Sequence, residues 1–158
     1  MKTNKNVKGF TLVELIVVIA IIGVLAAILV PSMLGYVKKS NVAAANSNAK
    51  SLFNAVQTAC TDMDSAGAAV SGGDYSFGTA TTNGCTAATG DLKTKVSTYF
   101  NSVSQLATAD ARISDSACTC CVVNKNSSGG YFGRYPNATT VDGANSTALY
   151  SSYPALQS

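Results

Sequence analysis

The sequence predicts an α+β protein: a long N-terminal α-helix, apolar in its first half and amphipathic in its second, packed on a small antiparallel β-sheet head. Three observations carry that expectation. An almost unbroken apolar run occupies residues 10–37. Beyond it, Val42, Ala45, Ala49, Leu52, Phe53, Val56 and Cys60 recur at spacings of three and four, the period of one helix face. Toward the C-terminus, "ACTCCVVN", "GGYFGRY" and "STALYSSY" are short β-prone runs split by Gly, Asn and Asp, as antiparallel strands are.

The first element begins with a short basic stretch. Of 11 basic side chains three, Lys2, Lys5 and Lys8, precede Phe10, and the rest match the 8 acidic ones in number. The net charge of +3 therefore belongs to the first nine residues. No long basic run marks a nucleic-acid surface, and nucleic acid is not indicated as a partner. Lys93, Lys95, Arg112, Lys125 and Arg134 read as scattered solvated charge.

As a helix at about 1.5 Å per residue, residues 10–37 span roughly 42 Å, more than the ~30 Å hydrocarbon core of a bilayer. Lysines before the run and the lack of charge up to Lys38, Glu14 aside, orient it with the N-terminus in the cytoplasm and the bulk of the chain exported. An ordinary cleaved signal peptide has a shorter apolar region and a small-x-small site just after it. Here the small-x-small candidate, Ala43–Ala45, lies beyond Lys38 and Lys39. A plain membrane anchor explains length and orientation but not Glu14, the sole glutamate of the chain, because a carboxylate at that depth costs a few kcal/mol.

The stretch "KGFTLVELIVVIAIIGVLAAILVPSMLGYVKK" resembles the N-terminus of a type IV pilin or a related pseudopilin. The features that carry the resemblance are a short basic leader ending in Gly9, then Phe10 and Thr11, Glu14 four residues past Phe10, and a long apolar helix containing Gly23 and Pro31. It covers the first 40 to 60 residues; the head shows no family match. The resemblance implies that a membrane prepilin peptidase cuts between Gly9 and Phe10 and methylates the new amine of Phe10. It also implies that an assembly platform extracts the subunit from the cytoplasmic membrane, and that subunits bundle their helices into a filament. In such a bundle the Glu14 carboxylate of one subunit meets the Phe10 amine of a neighbour. Both charges are buried, so a misregistered subunit leaves two of them unpaired. Thr11 adds a hydroxyl at the helix start. Pro31 lacks an N–H for the Ala27 carbonyl and Gly23 has low helix propensity, so the segment between them is one that bends or melts on packing.

The helix is expected to continue from about Phe10 to about Thr61, its second half using the apolar stripe to dock the sheet. Residues 62–91 are dominated by Gly, Ser, Thr, Ala and Asp and read as a connection, with one short element near Tyr75–Phe77. Asp62, Asp64 and Asp74 lack calcium-loop spacing and read as turn and cap residues. Residues 91–106 read as a second helix with Asp91 as its cap. Three or more strands follow.

The five cysteines are Cys60, Cys85, Cys118, Cys120 and Cys121, and there is no histidine. Ser-His and Cys-His nucleophile pairs and mixed Cys/His zinc sites are thereby excluded. In an exported head the cysteines are disulfide candidates, and an odd count leaves at least one unpaired. In a regular strand Cys118 and Cys120 share a face and Cys121 points the other way. Cys60–Cys85, the preferred pairing, closes the loop between the helices; Cys60 to the 118–121 group ties helix to sheet instead. Asn126, Asn137 and Asn145 begin N-x-S/T triplets, frequent by chance in so Ser/Thr-rich a chain.

The resulting organisation is a leader at 1–9, a membrane or filament-core helix at 10–38, the amphipathic half of that helix at 39–61 and a head at 62–158. The expected function is structural: a pilin precursor that is processed, held in the membrane and polymerised with copies of itself into an extracellular pilus for adhesion, twitching motility or aggregation. The alternatives are a minor or competence pilin, a secretion-system pseudopilin, or a membrane-anchored binding module that never assembles. No catalytic residue, metal site or cofactor is expected.

Overall fold

Helix α1 spans Leu12–Ser65, and its two parts are apolar in different ways. The structure, a computed structural model, describes residues 9–79, 85–125 and 130–140. The chain divides into two units, Met1–Val37 and Lys38–Ser158. In the first, every described residue is exposed although the most apolar 18-residue window of α1 has a mean hydropathy of 3.1. A helix that is hydrophobic all round requires a cover other than water. Pro31 lies inside it.

The second unit begins with the amphipathic part of α1. Its buried residues are Val42, Ala45, Ala49, Leu52, Ala55, Val56, Ala59 and Cys60. The spacing argument anticipated this stripe, except that Ala55 and Ala59 widen it and Phe53 sits half-buried at its margin, its ring 4.9 Å from that of Tyr135. The helix starts two residues later than expected and ends at Ser65, four residues beyond Thr61. Gly67, at φ +76°, supplies the left-handed residue of the stop. The Gly67 N–H donates to the Asp64 carbonyl (2.9 Å) and the Ala68 N–H to that of Met63 (2.9 Å), the bonding of a Schellman cap.

Five strands follow: β1 (Gly73–Ser76), β2 (Thr86–Ala87), β3 (Thr108–Ser114), β4 (Ala117–Asn124) and β5 (Phe132–Tyr135). Their order is β2-β1-β3-β4-β5, antiparallel except for the short parallel pair β1/β2. The expected strand at "STALYSSY" lies outside the described residues. β3 was not anticipated. It joins β4 through a two-residue turn in which Asp115 and Ser116 have φ of 50° and 58°. Helix α2 covers Gly90–Tyr99 only, with a 3-10 turn at Asn101–Gln105. The expected continuous helix to Leu106 breaks at Phe100, whose φ of −134° is not helical. Asp91 does not cap it either: Thr89 holds the cap position and makes no side-chain cap bond.

One core holds this unit together. Ala49, Leu52, Val56 and Cys60 of α1 pack on Ala109, Ala111, Ile113 and Val123 of the sheet, and Leu92, Val96, Val103 and Leu106 close the end. Two polar residues of α1 also face the sheet. Gln57 Oε1 accepts the Cys118 N–H (2.8 Å). Asn46 Oδ1 accepts the N–H groups of Arg134 and Thr139 (3.0 Å each), and its Nδ2 donates to the Thr139 carbonyl (2.9 Å). Beside it, β5 comes so close that a Cβ on Gly133 would lie 2.0 Å from the carbonyl carbon and oxygen of Ala45.

Two charge readings are corrected by the structure. Arg112 is not solvated: it lies opposite Asp74 across β3 and β1, and its Nε and Nη2 donate to the two carboxylate oxygens at 2.7 and 2.8 Å. Asp74 is thus a cross-strand partner and not a turn residue. Asp62 lies within α1, where it accepts the Tyr99 hydroxyl and lies 3.7 Å from Lys95 Nζ.

Candidate processing and assembly site

Gly9, Phe10 and Thr11 precede the helix and are exposed. The Gly9–Phe10 bond is therefore free of helical hydrogen bonding. A Cβ added to Gly9 would meet nothing within 4 Å, so the chain's own packing does not ask for glycine there. Phe10 is 83% exposed.

Thr11 and Glu14 form the helix start. The Glu14 N–H donates to Thr11 Oγ1 (3.3 Å), and Glu14 Oε2 accepts both the Thr11 N–H (2.8 Å) and the Thr11 hydroxyl (2.7 Å). With Leu12 as the first helical residue, Thr11 is the N-cap and Glu14 the third position of the helix. This is a reciprocal capping box, which satisfies two otherwise orphaned backbone donors. The four-residue pattern "TLVE" before an apolar run was a readable sign of it; expectation gave Thr11 only a helix-start hydroxyl. The carboxylate also sits at the positive end of the helix dipole. A Cβ on Gly23 would likewise meet nothing within 4 Å.

The cysteines distribute over the two faces of the sheet. The pairing of β3 with β4 shifts between Arg112 and Ile113, so that Arg112 opposes Cys120 while Ile113 opposes Cys118. Thr119 is the extra residue of a β-bulge, which reverses the alternation of a regular strand. Cys118 and Cys121 consequently share the helix-facing side with Cys60. Their sulfurs are 3.5 Å apart. Cys120 faces the other side, with Val122 and Phe132. The expectation that Cys118 and Cys120 share a face is thereby overturned, and the structure does not bring Cys60 together with Cys85. Cys85 instead lines a small cavity on the outer face with Asp74, Asp110, Arg112, Cys120 and Val122. At about 10 Å³ it has room for no more than a water-sized guest.

Burial pushes the Cys60 thiol up to about 11, and neighbouring Cys118 adds to the effect. Burial pushes Cys85 up to about 12, helped by Asp110 and Asp74. Cys120 and Cys121 are raised by the same cause. These four are thiols at neutral pH, the opposite of what a nucleophilic or metal-binding cysteine needs. Among the described residues no group of three or more His, Cys, Asp or Glu is placed to hold a metal.

A family model described as "Prokaryotic N-terminal methylation motif" matches residues 4–30. The N-terminal segment is similar to that of type IV pilins. A type IV major fimbrial protein, FimA, of Dichelobacter nodosus is 37% identical over 91 residues, 52% of this chain and 58% of the relative. The type IV major pilin PilA of Myxococcus xanthus is 39% identical over 61 residues, 39% of this chain and 28% of the relative. The type IV wide pilus major component PilA4 of Thermus thermophilus is 57% identical over 37 residues, 23% of this chain and 28% of that one. The chain thus spans a little over half the length of the first of these pilins and just over a quarter of the other two. No solved structure matches.

Proposed function

We propose that the chain is a pilin precursor whose work is self-assembly into a surface pilus. The observation that carries the reading is a fully exposed apolar helix whose single acid is built into its first turn, in a segment shared with major pilins of several bacteria.

Residues 1–9 act as a leader, and a membrane peptidase removes them at the Gly9–Phe10 bond. The non-helical, exposed backbone there suits a protease cleft, and the absence of packing around Gly9 places the demand for glycine outside the chain. Cleavage leaves an amine at Phe10, the position to be methylated. That cation stands at the positive end of a helix dipole, an unfavourable location that a nearby carboxylate relieves. The capping box engages Glu14 Oε2; we assign Oε1 to the Phe10 amine of a neighbouring subunit. Residues 10–38 hold the subunit in the membrane with the N-terminus in the cytoplasm, and later become the filament core, where Gly23 and Pro31 allow the helix to adjust. The amphipathic residues 39–61 carry the head, residues 62–158.

The test is a processing mutant followed by microscopy. Gly9→Ala is expected to give a cell-associated chain that retains its leader and no sheared surface filaments, whereas the wild type begins at Phe10 and yields filaments composed mainly of this chain. A Gly9→Ala chain with a normal Phe10 terminus in its mass spectrum refutes the cut-site assignment. Wild-type cells whose filaments lack this chain refute the reading of the chain as a filament-building subunit.

A further inference from the structure

We infer that strand β4 closes an internal disulfide, Cys118–Cys121, across the bulge at Thr119, and that Cys60, Cys85 and Cys120 remain thiols. The chemistry needs an oxidising thiol pool, which the export proposed above supplies.

The bulge is what makes the pair. In a regular strand, residues three apart stand about 10 Å from each other and point to opposite faces, out of reach of a disulfide. Here Cys118 opposes Ile113 and Cys121 opposes Ala111, so the two lie only two ladder steps apart, on the helix-facing side. At about 3.3 Å per step their Cα atoms are about 6.6 Å apart, within the roughly 4.4–6.8 Å that a disulfide spans. Their sulfurs already meet at 3.5 Å. A bond of about 2.0 Å then asks for a small rotation of the two side chains. The other cysteines are placed differently. Cys85 stands at the β2 edge and Cys120 lies on β4 opposite Arg112, with β1 and β3 between them. Cys60 enters the inner core from α1, but Cys118 already has Cys121 as its sulfur neighbour.

The bridge forms by exchange with a disulfide-bearing thiol oxidant. One of the two cysteine thiolates attacks the oxidant's S–S bond, giving a mixed disulfide and one oxidant thiol. The other then attacks the protein sulfur of that mixed disulfide, forming the protein S–S bond and releasing the second oxidant thiol. Two protein S–H bonds are lost, one S–S bond is made, and two electrons and two protons end on the oxidant. Cys118 and Cys121 are both buried, so the exchange takes place before the core closes or while it is open.

The test is a thiol count by fragment. Reduced full-length chain in detergent is opened with denaturant and returned to the folded state in a mixture of glutathione and glutathione disulfide. It is then unfolded, alkylated without reduction and cut before aspartate. Cleavage there places Cys118, Cys120 and Cys121 in fragment 115–141, Cys85 in 74–90 and Cys60 in the fragment that ends at residue 61. The expected map has one alkyl group on each of these fragments, with 115–141 lighter by two hydrogens and no two fragments linked. Fragment 115–141 bearing three alkyl groups, or linked to another fragment, overturns the inference. Two variants locate the bond within the fragment. Cys120→Ser should keep the bridge and lose the alkyl group; Cys121→Ser should lose the bridge and gain one alkyl group. A bridge lost in the first, or kept in the second, puts Cys120 in the bond and overturns the pairing. Oxidation is done on purified protein, so the map stands or falls independently of whether the chain is exported or forms pili.

Discussion

Glu14 is where one residue is asked to do two jobs. Inside its own chain it closes the capping box with Thr11; between chains it is assigned to the Phe10 amine. The two roles need different chemistry. A cap needs an acceptor oxygen at the third helical position, which glutamine also supplies. A buried ion pair needs the negative charge, and removing one partner leaves the other uncompensated at a cost of about 3–5 kcal/mol. Glu14→Gln therefore separates them. The expected result is a variant that is processed at Phe10 and keeps its helix start but does not build filaments as the sole subunit, whereas Glu14→Ala also loses about 1 kcal/mol of capping. Normal filaments from Glu14→Gln would mean that capping alone explains the acid and that the charge pairing is wrong.

At the scale of elements, the close contact of β5 with α1 is the most demanding feature. Asn46 binds backbone on both sides of Pro136, and Gly133 lets the strand approach the Ala45 carbonyl. Gly133→Ala forces a methyl into occupied space and should cost about 3 kcal/mol, roughly 10 °C in the melting midpoint of the head by circular dichroism; a change of less than about 2 °C would show that β5 does not lie so close. These contacts also mark what the sequence disclosed and what it hid. The stripe from Val42 to Cys60 was legible because burial on one helix face imposes its period on residue type. Asn46 and Gln57 were not, since a polar side chain that docks a strand reads the same as one that faces water. β3 was hidden because its hairpin turn uses Asp115 and Ser116 at positive φ, where Asn-Gly is the usual signal. The bulge at Thr119 left no trace in composition, so strict alternation assigned the cysteines to the wrong faces.

Across the whole molecule, stability and solubility are assigned to different stretches of chain. Every buried residue among those described lies at or beyond Val42, and none lies in residues 9–37. Among the described residues, the buried core therefore belongs to the second unit, and the apolar residues 9–37 are exposed. A surface that apolar must find a bilayer, detergent or other copies of itself. The consequence is that the fold and the assembly element can be separated by a cut. A fragment beginning at Lys38 keeps the stripe that docks the sheet, the Asn46 contacts and the Asp74–Arg112 pair. It should be soluble and monomeric without detergent, with a melting midpoint within about 2 °C of the full chain in detergent, since burial sets the stability of a small domain. It should also neither form filaments nor enter those of the full chain. The full chain without detergent should sediment as large assemblies. A Lys38 fragment that is unfolded, or one that assembles as readily as the full chain, would break the separation: the first outcome makes the apolar helix part of the fold, and the second moves assembly into the head.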